Sequence, residues 1–371
     1  MPATVRTVVC GVTFAGVALD DDVLSVRGSV SANGGWPTCS VFLTHKPPTG
    51  NEEDGIQVVA GAGTDVIRFQ GRVRRFRSSG FPKGIEMVAT GDLAYADEWT
   101  PTADIDFPEG IDFEEAFPDG ATDQALVRWA LDHVPNVTYV SGDIGGTGIT
   151  LGVSFPEAFN WRAGVSAWQY IMQLDRATLY RTYQAHDGAI YRVRMIGHPD
   201  VTPDFTLAPQ DILEGATSER TTERTRNYVR VTGFDDGQGA VLGIAAGNND
   251  FQGDGSDQST RHIEDFGSRL IEDGNDIDGA PIGNTGLNAQ DIAAAILPDV
   301  NKEFVDASIP SWRDDLHGPG LTVLVDALDR LAIGEPMWVF GYTWEVGDNG
   351  WMTTYTLSGG GLPQTYDPPP V

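Results

Sequence analysis

The run Asp65-Val66-Ile67-Arg68-Phe69-Gln70-Gly71-Arg72-Val73-Arg74-Arg75-Phe76-Arg77 decides the fold reading, because apolar and charged residues alternate along it as a half-buried strand requires. The arginines are expected on one face. Two uses are open to such a face: a basic stripe for nucleic acid, or a surface that meets the acids of a neighbouring subunit. The acidity of the chain favours the second. Around this run lie further short β-rich stretches at residues 4–9, 23–30, 38–43, 56–60 and 85–89, divided by turn clusters such as Asn33-Gly34-Gly35 and Gly61-Ala62-Gly63. Six short strands at this spacing predict a small barrel or sandwich in the first hundred residues.

The chain of 371 residues carries 53 acids against 24 bases, a formal charge of −29, with 3 lysines beside 21 arginines. Its length suggests two or three domains, and a 40 % hydrophobic content supplies real cores. So acidic a surface repels phosphate, which argues against duplex binding. No run reaches the ~18 apolar residues of a membrane span, and Met1-Pro2-Ala3-Thr4-Val5-Arg6 lacks the apolar core of a signal peptide. A soluble protein made in the cytoplasm is expected. Cys10 and Cys39 both sit in apolar stretches and read as buried free thiols. Scarce lysine and abundant aspartate fit a high-GC coding bias or a proteome adapted to molar salt, where self-repulsion is screened.

Beyond Trp99 the pattern changes. Residues 100–119 carry three prolines and many acids and read as an acidic linker. A helix follows, capped by Thr122, with Leu126, Trp129, Ala130 and His133 at helical spacing and Pro135 as its stop. A Gly-rich hairpin is expected from Gly142 to Gly148. A second helix is expected over 165–174, then paired strands over 177–184 and 189–196 around His186-Asp187-Gly188. These make an α+β module. Strands return at 228–233 and 240–245. Asn288 caps a helix over 289–297 that Pro298 terminates, and strands over 303–308, 337–340, 343–346 and 352–358 lead to a Pro-rich tail. The fold class is mainly β with an α+β insertion, divided as 1–99, 100–204, 205–362 and a tail at 363–371.

The residues offer little chemistry. No Gly-x-Ser-x-Gly elbow occurs, and Gly142-Asp143-Ile144-Gly145-Gly146-Thr147-Gly148 lacks the lysine and following hydroxyl residue of a phosphate loop. His45, His133, His186, His198, His262 and His317 show no zinc spacing. Calcium could favour the oxygen-rich loops Asn249 to Asp257 and Asp273 to Asp278, but neither has the spacing of an EF-hand, and both read as solvated acidic loops. With 53 acids, chance proximity of two carboxylates carries no argument for glycoside cleavage. Trp312, Trp338, Trp344 and Trp351 could form a sugar platform if exposed, but alternation of Trp338, Phe340 and Tyr342 reads more simply as a buried face. No catalytic, cofactor-binding or metal-binding residue is assigned and no cofactor is expected; the protein is read as a non-enzyme.

Four stretches resemble the tail-hub, or minor tail, proteins of tailed viruses, the group related to the central baseplate hub. The first is Asp22-Val23-Leu24-Ser25-Val26-Arg27-Gly28-Ser29 with the strand Cys39-Ser40-Val41-Phe42-Leu43. The second is Phe69-Gln70-Gly71-Arg72-Val73, similar to the family's Phe-x-Gly-x-Val strand, leading into Ala89-Thr90-Gly91-Asp92-Leu93, similar to its Ala-x-Gly-x-Leu close. The third is Trp168 to Leu174 with Tyr183 and Asp187-Gly188-Ala189-Ile190-Tyr191. The fourth is Ile333-Gly334-Glu335-Pro336-Met337-Trp338-Val339-Phe340, then Thr343-Trp344-Glu345-Val346 and Trp351-Met352-Thr353-Thr354-Tyr355-Thr356-Leu357-Ser358-Gly359-Gly360, with Glu335 where the family more often has aspartate.

This resemblance implies two hub-type β-barrels flanking a smaller α+β domain. It further implies a homotrimer whose six barrels adapt a sixfold tail tube to a threefold tip, in a structural role that requires no catalytic residue. The implied partners are a distal tail ring or tail tube protein, the tape-measure protein and a tip or fibre protein. The implied location is the tail tip or baseplate of the virion. Viral DNA would pass transiently through an axial channel, where acidity suits sliding because a basic lumen would trap DNA by counterion release. Two other readings stand beside it: a module that binds or cleaves cell-surface glycans, and a hexameric distal tail ring protein.

Overall fold

The computed structural model describes residues 9–19, 22–32, 34–45, 47, 50–61, 66–78, 84–105, 121–152, 156–195, 202–221, 226–235, 240–246, 263–275, 281–282, 286–301, 304–313, 318–326, 336–347 and 350–359. The expected loop at 248–257, most of the expected linker, and the tail at 363–371 lie outside these residues, as does the expected strand 4–9 apart from Val9.

The first seven strands are β1 (Val9–Phe14), β2 (Val17–Ala18), β3 (Val23–Ser31), β4 (Thr38–Leu43), β5 (Gly55–Gly61), β6 (Ile67–Ser78) and β7 (Ile85–Thr90). They pair antiparallel in the order β3-β4-β7-β6-β5-β1-β2. The Phe-x-Gly-x-Val pattern has a direct cause on β6. Phe69 and Val73 are buried in the core, and a Cβ on Gly71 would stand 2.2 Å from the Thr90 carbonyl oxygen of β7. A bulge between Val73 and Arg75 then shifts the alternation by one residue, so Phe76 rejoins the core side and packs edge-on to Phe14.

The chain next turns into the α+β region. A short helix α1 (Tyr95–Glu98) precedes α2 (Asp123–Asp132), whose N-terminus is capped by Thr122 accepting from the Ala125 amide. Helix α3 (Ala167–Thr178) begins two residues later than expected and ends later too. Ser166 and Gln169 form a reciprocal capping box that fixes the start, and Leu179 in a left-handed conformation ends it. The hairpin β8 (Tyr180–Gln184) and β9 (Ile190–Arg194) follows. Part of the expected linker is held: Ile105 and Trp161 exchange two backbone hydrogen bonds of 2.8 Å each. The stretch Gly142 to Gly148 is not a hairpin. It contains one 3-10 turn at Ser141–Asp143 and then wraps over β9.

After β10 (Phe205–Leu207) and β11 (Thr217–Thr221), the strands β12 (Tyr228–Asp235), β13 (Ala240–Ala246), β14 (Ile263–Gly267), β15 (Gly274–Asn275) and β16 (Pro281–Ile282) form a separate five-stranded sheet. Helix α4 (Ala289–Val300) packs on it, so closely at Gly243 that a Cβ there would stand 2.2 Å from Ala289 backbone atoms. Pro298 does not terminate this helix. One further turn forms, with Val300 buried and its carbonyl accepting from the Arg226 amide. The helix and sheet share a hydrophobic core with α2 and α3.

The last strands are β17 (Phe304–Ser311), β18 (Thr322–Val325), β19 (Met337–Gly347) and β20 (Gly350–Ser358). They continue the first sheet: β19 pairs antiparallel with β3, Tyr342 opposite Val30 and Trp344 opposite Gly28. A Cβ on Gly28 would lie 2.6 Å from the Trp344 ring, which explains the Arg-Gly step of this strand. One core then runs from Val26, Val41 and Phe69 to Val339, Trp344 and Tyr355. The expectation of two barrels is corrected accordingly. Among the described residues the strand path from β11 to β2 has two open ends and closes into no ring, and the strands of the C-terminal part divide between two sheets. Strand spacing reveals how many strands exist, but the β3–β19 pairing that joins the two halves is a long-range contact.

Candidate functional site

The Gly-rich loop encloses a buried ion centre. The Arg192 side chain on β9 is fully buried, donating from Nε to Asp175 Oδ1 at 2.7 Å, from Nη1 to Asp123 Oδ2 at 2.5 Å, and from Nη2 to Thr178 Oγ1 at 2.6 Å. Nη1 also donates to the Gly145 carbonyl at 2.7 Å, and the guanidinium lies 4.5 Å from the Tyr180 ring centre. Asp123 in turn accepts from the Thr147 amide and hydroxyl, at 3.0 and 2.8 Å, and Asp175 from the Thr182 amide at 2.6 Å. Burial pulls the Arg192 pKa down, but the carboxylates of Asp175 and Asp123 outweigh it and hold the group above its ordinary value. Glycine is needed here for close approach: a Cβ on Gly145 would stand 2.7 Å from the Arg192 carbonyl, and one on Gly146 2.7 Å from Gln124 Cβ. Buried pairs of this kind cost desolvation and return it only when every hydrogen bond is made. The centre locks two helices, the hairpin and the loop together.

The arginines of β6 divide into two sets. Arg68 is buried, donates to the Ala60 carbonyl at 2.7 Å and lies over the Trp351 ring at 4.6 Å. Arg72 pairs with Asp92 at 3.1 Å, and Arg74 with Glu53 at 3.0 Å and Glu98 at 3.2 Å. The Tyr95 hydroxyl donates to Glu53, and with Arg74 it holds that carboxyl below the usual range; burial pushes Asp92 up despite Arg72. These acids belong to the same chain, which corrects the expectation that the whole stripe meets a neighbouring subunit. Arg75 and Arg77 are different. Beyond the bulge they are exposed on the same face as Arg27 of β3, with β7 and β4 between, and both Arg27 and Arg77 lean on Glu86, at 3.5 and 3.9 Å.

The other residues singled out by sequence reasoning are scattered. Exposed His45 reaches Asp22, and His133 packs against Trp99, Trp129 and Trp161. His186 is held in the β8–β9 turn with Nδ1 3.1 Å from the Tyr342 hydroxyl. His198, His262 and His317 lie outside the described residues. Among the described residues, no three His, Cys, Asp or Glu groups are placed to hold a metal ion, and no helix is long and apolar enough to cross a membrane. Cys10 and Cys39 are free thiols, and burial pushes the Cys39 pKa far up. Trp344 and Trp351 are buried and stacked at 5.6 Å, while Trp312 and Trp338 are half-buried, so these rings form no exposed sugar platform.

The family-like motifs gather at one joint. Gly91 of Ala89-Thr90-Gly91-Asp92-Leu93 lies where a Cβ would meet Gln184 Oε1 at 2.2 Å, and that oxygen accepts from the Leu93 amide at 2.9 Å. The Gln184 amide donates to the Gly35 carbonyl at 2.6 Å, and Trp36 packs edge-on to Trp168. The hairpin is thereby fastened to the large sheet. The sequence singles out Gly91, Leu93 and Trp168 by resemblance and Gly35 as a turn residue, but neither Trp36 nor the contact through Gln184.

A large antiparallel sheet with this α+β region fastened against it is the fold of phage and prophage tail proteins, matched over nearly the full length. The tail protein from Neisseria meningitidis MC58 is 12 % identical, with 95 % of this chain and 96 % of that one covered at a TM-score of 0.62. The 43 kDa tail protein of prophage MuSo2 from Shewanella oneidensis is 9 % identical, with 94 % and 95 % covered at 0.60. The prophage tail protein gp18 from Listeria monocytogenes EGD-e is 9 % identical, with 95 % of each chain covered at 0.56. No family model matches the chain, and no curated protein matches it in sequence.

Proposed function

We propose that this protein is a structural, non-enzymatic component of a virion tail tip or baseplate: a hub of three copies that joins a sixfold tail tube to a threefold tip. The observation that carries the reading is the match in fold to the Neisseria tail protein over 95 % of this chain and 96 % of that one. The two halves of the open sheet, joined at β3 and β19, take the place of the two hub lobes. The partners are a tail tube or distal ring protein above, a tip or fibre protein below, and a tape-measure protein within. The charge of −29 suits passage of DNA through the ring.

The test is the mass of the purified protein by multi-angle light scattering. Three copies of the 39.9 kDa chain are expected. Six copies would favour the distal ring reading, and a single chain at every concentration would overturn the hub. Negligible retention of duplex DNA on a filter in dilute salt is the matching result for a sliding channel.

A further inference from the structure

We propose that the outer face of β6, β7, β4, β3, β19 and β20, centred on Arg27, Arg75 and Arg77, is the surface by which one copy grips the acidic flank of the next. The inference rests on the reading of the protein as a ring of copies and names the contact that would build it. Three observations carry it.

The first is exposure. The side chains of Arg27 and Arg77 are 60 % and 52 % exposed, and the apolar Met352, opposite Glu345, is 40 % exposed on the same face. Arg27 lies over the Phe42 ring at 5.1 Å, so its charge sits on an apolar footing. A groove of about 330 Å³ runs between β4 and β20, floored by Ser29, Ser40, Thr343 and Thr354. Six strands spaced ~4.8 Å apart and ~20 Å long present roughly 500 Å² of flat area. That is more than half of the ~800 Å² one partner contributes to a standard interface.

The second is charge. Strand register places Glu86 opposite Phe42 and Glu345 opposite Arg27, so three arginines share this face with two glutamates. The whole chain has more than two acids for every base. The patch is therefore complementary to most of the remaining surface of an identical molecule.

The third is symmetry. Two such faces meeting each other would set one net positive face, three arginines with two glutamates, against another, which like-charge repulsion disfavours. A contact between the arginine face and an acidic flank is head-to-tail, and a head-to-tail contact builds a ring when its rotation closes.

The test compares the wild type with the triple variant Arg27→Glu, Arg75→Glu, Arg77→Glu by sedimentation velocity, with circular dichroism as the check on folding. A folded variant sedimenting as a single chain, with association at least tenfold weaker than wild type, is the expected result. The triple Arg→Gln variant, which keeps size and removes charge, is expected to weaken association less, and it serves if the Glu variant fails to fold. Raising salt from dilute to molar is expected to weaken wild-type association in parallel. A wild type of three copies whose variants keep that mass would overturn this interface and leave the hub standing. A single-chain wild type would overturn the hub and this contact together. If the wild type retained a DNA duplex on a filter and the Glu variant released it, the face would be a phosphate-binding surface instead.

Discussion

Two groups of arginines in this molecule have opposite fates. Arg192 is sealed between Asp123 and Asp175 with no water access, whereas Arg27, Arg75 and Arg77 stand on an open sheet face, where Arg27 and Arg77 share Glu86. The same side chain thus holds a fold together in one place and is available to another molecule in the other. The difference lies in the geometry around it. A bulge on β6 turns Arg75 and Arg77 outward, while a hairpin and a Gly-rich loop close over Arg192.

The comparison breaks most clearly at Arg192. Arg192→Met strands two buried carboxylates, and a loss of ~3–5 kcal/mol is expected in urea unfolding. If Arg75→Ala lowered the midpoint as far, the division into structural and surface arginines would be wrong; the expected result is an unchanged midpoint. Next in size is the seam between the two halves. Gly28→Val drives a side chain into the Trp344 ring and is expected to cost ~1–3 kcal/mol, with altered tryptophan fluorescence from the stacked Trp344 and Trp351. A smaller effect is expected at a helix that supplies the ion centre: Ser166→Ala removes the cap of α3, which carries Asp175, for a loss of about 1 kcal/mol by thermal unfolding.

The least effect concerns acid. His186 has its pKa held below the ordinary 6.5, chiefly by burial, with Arg68 acting in the same direction and Asp187 against. The unfolded chain takes up this proton more readily than the folded one, so stability is intact above 6.5 and falls as the pH drops below it. His186→Gln is expected to shrink the difference between unfolding midpoints at about pH 7 and about pH 5. An identical difference in both proteins would remove His186 as the cause.

Much of this arrangement is legible in the residues. Alternation marked β6, and Thr122 and Asn288 marked their helices, because caps and periodicity are local effects. The Ser166-x-x-Gln169 box was equally local and sharpens the start of α3. What local pattern could not supply is pairing across the chain. Arg192 is 69 residues from Asp123, Arg74 is 21 from Glu53, and β3 meets β19 over more than three hundred. The bulges on β6 and β19 reverse the inward face midway, so alternation alone misassigns residues beyond them. Pro298 misled for a different reason: proline forfeits one hydrogen bond, and the packing of Val300 in the shared core outweighs that loss in a last turn.

The pairing of β3 with β19 also governs how the protein can be made. Val26 is partnered by Val346, so this edge of the sheet waits until a further 320 residues have been made. At roughly 5–20 residues per second, that wait is on the order of 15–60 s. During it β3 presents an unsatisfied edge to every other nascent chain, and high contact order slows the final docking. A chain that ends before β19 carries a half-sheet with β3 at its open edge.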